Sequence, residues 1–237
     1  MVSQVDLTSF ETEDYVRLML QRSDILSDVK RPGRIIKAWV AGEEDDITQL
    51  AQQNGPVYAQ RALSDILTEF EALMEAFGDW SPASVADIGC GIGIFGWYAI
   101  QVFNAKAYLI DIENSEARGF GYSDIDRGYC DLKKTQRFLT DNGITDDQFE
   151  VLNPNDTDIS QVGQVDLATS FLACGFHFPV DTYMPFFENN VAPGGRIVLD
   201  IREAKEAEQV SQLETLGEVT VISRENKRAR MMVTKPA

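Results

Sequence analysis

The chain has 237 residues and an apolar fraction of 44%, which suits one sizeable α/β domain with a helical extension. Its formal net charge is −17; because nucleic-acid affinity depends on cationic side chains, neither nucleic acid nor an anionic membrane is an expected partner. Three widely spaced cysteines and a single histidine argue against a disulfide framework, and no metal is predicted. There is no apolar run of about 20 residues and no secretory signal, so a cytoplasmic protein is expected.

Residues 1–80 are predicted to form a helical N-terminal cap, and residues 81–237 the main domain. An amphipathic pattern predicts a helix over 11–21, and a weaker pattern favours one near 35–40. The step Arg31-Pro32-Gly33 marks a break between them.

A longer helix is predicted after Asn54-Gly55-Pro56, where apolar residues recur at spacings of three and four. Proline suits the first turn of a helix and glycine suits the position just after its end. Pro56 is therefore predicted in the first turn and Gly78 at the C-cap.

After residue 80 short apolar runs alternate with helical stretches, which predicts a parallel sheet wound by crossover helices. The tail instead predicts an antiparallel hairpin joined by Asn226-Lys227. The predicted fold is therefore α/β, a doubly wound, seven-stranded and mostly parallel sheet. Its strands are expected at 83–89, 107–112, 148–153, 165–171, 195–201, 218–225 and 228–235, and helices near 94–103, 129–141, 181–190 and 203–216.

A glycine-rich turn follows the first predicted strand. Residues Asp87 to Gly93 are D-I-G-C-G-I-G and open an apolar helix, at the carboxyl end of a central strand, where doubly wound sheets bind ligands. A plain strand-to-helix turn is the alternative interpretation. Two details favour a ligand site. Position 94 is Ile, where the dinucleotide fingerprint has its third glycine, and Asp111 ends the second strand, where an acid accepts hydrogen bonds from ribose hydroxyls.

These motifs resemble those of class I S-adenosylmethionine-dependent methyltransferases. The resemblance rests on D-I-G-C-G-I-G, on L-I-D-I at 109–112, on A-P-G-G-R-I-V-L-D at 192–200 and on the terminal hairpin, and it covers about residues 83–237. It implies a Rossmann-like methyltransferase domain that uses S-adenosyl-L-methionine as its cofactor.

The resemblance also implies which residues bind the cofactor. Gly89 and Gly91 would lie against the methionine part, Asp87 would help to hold its amino group, and Asp111 would bind the ribose. Ile112 would pack on the adenine, with core packing as an equal alternative. The other implied cofactor-binding residues are Cys90, Gly93, Asn155, Asp156, Ser170 and Phe171, of which Asp156 is equally well interpreted as an exposed loop acid.

His177, the only histidine, follows the fourth predicted strand, in the segment that would face the transferred methyl group. Methyl transfer to a hydroxyl requires alignment and removal of a proton, and histidine accepts a proton near neutral pH. Packing within the aromatic cluster of Phe171, Phe176 and Phe178 is the alternative interpretation. We predict His177 to be the catalytic base.

The segment C-G-F-H-F-P-V-D-T-Y at 174–183 is similar to one in bacterial sugar O-methyltransferases. This similarity implies a small-molecule acceptor with a hydroxyl, such as a carbohydrate. Candidate substrate residues are Arg202, Tyr58 and Tyr122. The alternative interpretations are a salt bridge at the rim for Arg202, helix packing for Tyr58 and a solvated loop for Tyr122. The sequence does not indicate an oligomeric state.

Three other functions compete with this one. A nicotinamide-dependent oxidoreductase would use the same sheet and an acid such as Asp111, but Ile94 and the terminal hairpin count against it. A non-catalytic module that binds S-adenosylmethionine would keep the same loop. A nucleic-acid methyltransferase is disfavoured by the net charge.

Overall fold

A computed structural model describes residues 5–113, 130–225 and 227–237. Its seven-stranded sheet has the order β3-β2-β1-β4-β5-β7-β6. The first five strands pair in parallel, and β7 runs antiparallel between β5 and β6. The predicted fold class is confirmed. The strands are β1 Ser84–Ile88, β2 Lys106–Ile110, β3 Phe149–Leu152, β4 Val165–Ser170, β5 Val191–Arg202, β6 Glu218–Glu225 and β7 Arg228–Thr234.

Helices cover both faces of the sheet because successive strand residues point to opposite sides. Val85 and Leu167 belong to one apolar cluster, whereas Ala86 and Ala168, one position further along, belong to the other. The first cluster packs under α3, α4 and α5, and the second under α6 and α7. The helices after the first strand are α4 Ile94–Phe103, α5 Leu132–Asp141, α6 Met184–Asn190 and α7 Glu206–Leu213.

Three helices precede the sheet: α1 Thr12–Gln21, α2 Pro32–Val40 and α3 Asp45–Phe77. Buried side chains of α1 and α3 belong to the same apolar cluster as those of β1 and α4. The core is therefore continuous from the N-terminal helices into the sheet. The division into two domains at residue 80 stays a prediction.

The predicted start of the long helix is wrong. Helix α3 begins at Asp45, so Pro56 lies inside it and not in its first turn. An interior proline lacks the N–H that would bond the previous turn, which normally stops a helix. The preceding residue, Gly55, packs closely against α1, because a Cβ at this position would overlap the ring of Tyr15. The predicted C-cap is confirmed, since Gly78 has φ +58° and its N–H bonds back to the last turn.

A buried ionic network joins the N-terminal helices to β5 and β7. Glu69 on α3 accepts two hydrogen bonds from Arg22, at 2.7 and 3.1 Å, and one from Arg228 on β7 at 3.0 Å. Asp200 on β5 accepts from Arg228 and, through two bonds of 2.8 and 2.9 Å, from Arg230. Paired charges with satisfied hydrogen bonds are the form in which such groups tolerate burial.

Among the described residues, no helix combines the length and the apolar character needed to cross a membrane.

Candidate active site

A cavity of about 400 Å³ opens at the carboxyl ends of β1, β2 and β4, with the C-terminal end of α1 forming another wall. This is the edge of a doubly wound sheet where ligands bind. The structure brings nine of the predicted site residues to its walls. They are Asp87, Gly89, Cys90, Gly91, Asp111, Ile112, Asn155, Phe171 and His177.

The glycine turn needs glycine for two reasons. Gly89 and Gly91 have φ of +76° and +55°, in the left-handed region that other residues rarely adopt. Both positions are also crowded: a Cβ on Gly89 would overlap the Cβ of Ala173, and one on Gly91 would lie 2.6 Å from Oε1 of Gln21. The loop after β4 and the end of α1 therefore close directly onto this turn.

Asp111 is held against the glycine turn. One of its carboxylate oxygens accepts a hydrogen bond of 2.7 Å from the backbone N–H of Gly91. Burial raises the pKa of Asp111 to about 6, although the hydrogen bonds from the N–H groups of Gly91 and Ile112 act in the opposite direction. A carboxylate fixed this way presents its remaining acceptor positions to the cavity.

Asp87 lies beneath the same turn, at the end of β1. Its carboxylate accepts a hydrogen bond of 3.2 Å from the hydroxyl of Thr169 on the neighbouring strand. Burial raises the pKa of Asp87 to about 7. The Thr169 hydrogen bond and the positive charge of Arg22 lower this pKa, and the negative charge of Asp111 raises it. Two acids with raised pKa values therefore line one side of the cavity.

His177 lies on the loop that follows β4. Its backbone N–H bonds the carbonyl of Ala173 at 2.7 Å, and its ring meets that of Phe176 edge to face. Arg202 steadies this loop from β5, because its Nε–H donates to the carbonyl of Phe176 at 2.8 Å and its guanidinium lies 4.3 Å from the ring centre. The imidazole is half-buried and lines the cavity.

Six predicted residues lie away from the cavity walls or outside the described chain. Gly93 caps α4 with φ +85°, and Ser170 bonds the carbonyl of Ile88 at 2.7 Å and the N–H of Cys174 at 2.9 Å. Both contact the glycine turn without lining the cavity. The others are Asp156, which is exposed and bonds Asn153; Tyr58, which is buried beside Arg61 within α3; Arg202, which holds the Phe176 carbonyl; and Tyr122, which lies outside the described residues.

The end of α1 and the residue that follows it supply a part of the wall that the sequence does not predict. Leu18, Leu20, Gln21 and Arg22 all line the cavity. The helical periodicity of α1 predicts a buried face, but nothing local indicates that this end meets the glycine turn. Asp158 after β3 is not predicted from the sequence either, since it stands in a polar loop without a motif.

The charges around the cavity are unequal. Three aspartates line it, Asp87, Asp111 and Asp158, whereas Arg22 is the one lysine or arginine among the described lining residues. Arg22 itself is paired with Glu69 at 2.7 Å. The cavity therefore favours a ligand with a positive charge beside the glycine turn.

Several solved methyltransferase structures are similar to this chain. A methyltransferase from Pyrococcus furiosus matches with a TM-score of 0.52 and 14% identity, over 73% of this chain and 83% of that one. A ribosomal protein L11 methylase from Lactobacillus delbrueckii subsp. bulgaricus matches with a TM-score of 0.51 and 14% identity, over 76% and 80%. An O-methyltransferase family protein from Burkholderia thailandensis has a TM-score of 0.53 and 10% identity, over 98% of this chain and 74% of that one.

These likenesses show that the chain has a Rossmann-like methyltransferase fold, and the last one extends over the N-terminal helices. No protein-family model matches the chain, and no curated protein matches its sequence. At identities of 10–14% the comparisons establish the architecture alone.

Proposed function

We propose that this protein is an S-adenosylmethionine-dependent methyltransferase that acts on a hydroxyl of a small acceptor. The observation that carries the proposal is the pairing of Asp111 with the backbone N–H of Gly91 at 2.7 Å, on the wall of the cavity. That arrangement leaves a fixed carboxylate free to accept hydrogen bonds from two vicinal ribose hydroxyls.

The residues present fit this cofactor better than a dinucleotide. S-adenosylmethionine supplies an activated methyl group on a positively charged sulfur, next to an ammonium group. Asp87 and Asp111 beside the glycine turn complement those positive charges. A nicotinamide dinucleotide would instead bring two negative phosphates against the same carboxylates, with Arg22 as their one described cationic neighbour on the wall.

The chain's own groups then have three tasks. Gln21 and Ala173 close on the turn and exclude water from it. The loop held by Arg202 positions His177 at the cavity wall. The His177 imidazole accepts the proton of the acceptor hydroxyl as its oxygen becomes the nucleophile.

The acceptor is expected to present an apolar face as well as a hydroxyl. Aliphatic and aromatic side chains supply much of the wall, among them Leu18, Leu20, Ile66, Phe95, Phe171 and Phe178. The C–H faces of a sugar ring and the ring of a phenol both suit such a surface. We therefore keep the carbohydrate acceptor proposed from the sequence and add phenolic acceptors to the test.

Calorimetry with S-adenosylhomocysteine tests the cofactor assignment. We expect one site per chain, no heat with NAD, and a large loss of affinity in Gly91→Ala, whose Cβ would lie 2.6 Å from Gln21. Gly143→Ala is the matched control, because Gly143 also has a positive φ, +80°, but a Cβ there meets nothing within 4 Å. Binding of NAD in place of S-adenosylhomocysteine would refute the assignment.

A labelled-methyl assay over sugars, glycosides, phenols and an RNA tests the acceptor. Transfer to a hydroxyl of a small molecule supports the proposal. Transfer to RNA would show that the net charge misled the acceptor assignment, and tight cofactor binding without any transfer would favour the non-catalytic module.

A further inference from the structure

Two thiols and a carboxylate meet on the wall of the cavity. The Sγ atoms of Cys90 and Cys130 and a carboxylate oxygen of Asp111 all lie within 4.8 Å of one another. Cys90 belongs to the glycine turn, and Cys130 comes just before α5. The two cysteines are distant in the sequence, and the fold brings them together. All three residues line the cavity and are reachable from it.

The three groups are also well oriented. The Cys130 thiol donates to the carbonyl of Gly91 at 3.1 Å and lies 3.5 Å from the hydroxyl of Thr135. The Cys90 thiol is 3.7 Å from the same Gly91 carbonyl. The N–H of Gly91 bonds the Asp111 carboxylate at 2.7 Å, an outer contact of the kind that orients metal ligands.

We propose that Cys90, Cys130 and Asp111 form a binding site for a thiophilic divalent cation such as Zn²⁺. Thiolates select soft and borderline cations, and zinc accepts sulfur and carboxylate ligands together at about 2.3 and 2.0–2.2 Å. Three protein ligands leave the fourth tetrahedral position to solvent in the cavity. Binding displaces one proton from each thiol, so each zinc ion releases two protons while the carboxylate binds as an anion.

Occupation of this site excludes the nucleoside, a consequence that rests on the proposed function. Asp111 is the residue assigned to the ribose hydroxyls, and its carboxylate does not serve a metal and the ribose at once. A zinc ion at this position therefore acts as a reversible competitor of the cofactor.

The cation site is tested with Zn²⁺ alone, on the full chain under reducing, oxygen-free conditions. Calorimetry in buffers of different ionisation heat gives the stoichiometry and the protons released. We expect one zinc ion and two protons per chain in the wild type, and zinc affinity at least about 100-fold lower in Cys130→Ser and in Cys90→Ser. Cys174→Ser is the matched control, since Cys174 is equally buried but its thiol contacts the Pro179 carbonyl, away from the cluster.

Cobalt substitution provides a second readout that does not depend on activity. Thiolate-to-cobalt charge-transfer absorption is expected in the wild type and in Cys174→Ser, and should be weaker in Cys130→Ser, which keeps one of the two thiols. Circular dichroism establishes that each variant is folded. Zinc affinity that is unchanged in both Cys90→Ser and Cys130→Ser, or no zinc binding by the wild type, would overturn the site.

Competition is measured as the affinity for S-adenosylhomocysteine in the presence of a chelator, divided by the affinity at a zinc concentration that saturates the wild type. This ratio should exceed about tenfold in the wild type and in Cys174→Ser and fall to near one in Cys130→Ser, whatever the absolute affinity of that variant. A ratio near one in the wild type would overturn the competition. Zinc binding through both thiols in a protein that ignores S-adenosylhomocysteine would support the cation site and reject the proposed function.

Discussion

At the scale of single residues, the carboxylate of Asp111 controls how the candidate site responds to pH. Its pKa, raised by burial to about 6, means that it is protonated in acid and ionised at neutral pH. The thiols of Cys90 and Cys130 lie within 4.8 Å of its carboxylate, and Asp87, with a pKa of about 7, and Arg22 line the same cavity. Ribose hydroxyls need the ionised acceptor, so proton and cofactor compete.

We therefore predict that affinity for S-adenosylhomocysteine begins to fall near pH 7, where Asp87 is protonated, and falls more steeply, by at least about tenfold per pH unit, below pH 6, where Asp111 is protonated as well. Asp111→Asn should bind about 10–100-fold more weakly at pH 8 and lose the step near pH 6. Calorimetry from pH 5 to 8 measures both. If Asp111→Asn still loses affinity near pH 6, another group titrates there.

His177 gives a second prediction at this scale. His177→Ala should lower turnover on the true acceptor by about 10²–10⁴-fold, because it removes the base, and should change cofactor affinity little. Single-turnover rates across pH, with calorimetry for the cofactor, separate the roles. If His177 only packs on Phe176, the variant will lose thermal stability but keep its pH–rate profile.

At the scale of elements, the contact between α1 and α3 sets the shape of the cavity. Gly55 lies on α3 against the ring of Tyr15, and α1 then carries Gln21 onto Gly91. The step Asn54-Gly55-Pro56, which predicts the start of a helix, thus lies within one, and the absence of a side chain on Gly55 lets the two helices approach. The Gly55 contact links the packing of the N-terminal helices to the glycine turn.

Gly55→Ala should therefore destabilise the protein by about 1–3 kcal/mol, since the new methyl group overlaps the Tyr15 ring. It should also weaken S-adenosylhomocysteine binding by displacing α1. Gly33→Ala in α2 is the control: nothing lies within 4 Å of its Cβ, so the usual gain of about 0.4–1 kcal/mol is expected. Urea unfolding compares the two, and equal effects would mean that the helices separate at no cost.

At the scale of the whole molecule, the ionic network centred on Glu69 ties the N-terminal helices to β5 and β7. Burial alone would raise the pKa of Glu69, but Arg22, Arg230 and Arg228 lower it to about 2. A pKa lowered in the folded state stabilises the protein above the unfolded value of 4.5, and this stabilisation is lost as the pH falls from 4.5 towards 2. The difference corresponds to about 3 kcal/mol.

Glu69→Gln should accordingly cost about 3–5 kcal/mol at pH 7, because it leaves the buried guanidinium of Arg22 without its anion and removes one of the two buried carboxylates that Arg228 contacts. The free energy of unfolding of the variant should also depend less on pH between 5 and 3. Glu208→Gln, which breaks an exposed pair with Lys205 at 3.2 Å, should cost less than about 1 kcal/mol. Urea unfolding at several pH values measures both, and a small loss in Glu69→Gln would show that the network does not hold the molecule together.

The sequence by itself determined the order of strands and helices and the place of the glycine turn. These follow from periodicities of two and 3.6 residues and from turn residues, all of which act between near neighbours in the chain. Strand ends in a doubly wound sheet then bring Asp87 and Asp111 to one edge, so part of the candidate site follows from topology as well.

Only the tertiary structure decided which residues line the cavity and which support its wall without lining it. Three contacts join separate parts of the chain: Gln21 with Gly91, Cys130 with Cys90, and Glu69 with arginines from two distant elements. No local pattern encodes them, because each depends on how a helix is placed against the sheet. Pro56 likewise lies inside α3, where Gly55 packs against Tyr15 of α1, a contact that the residues around the proline do not encode.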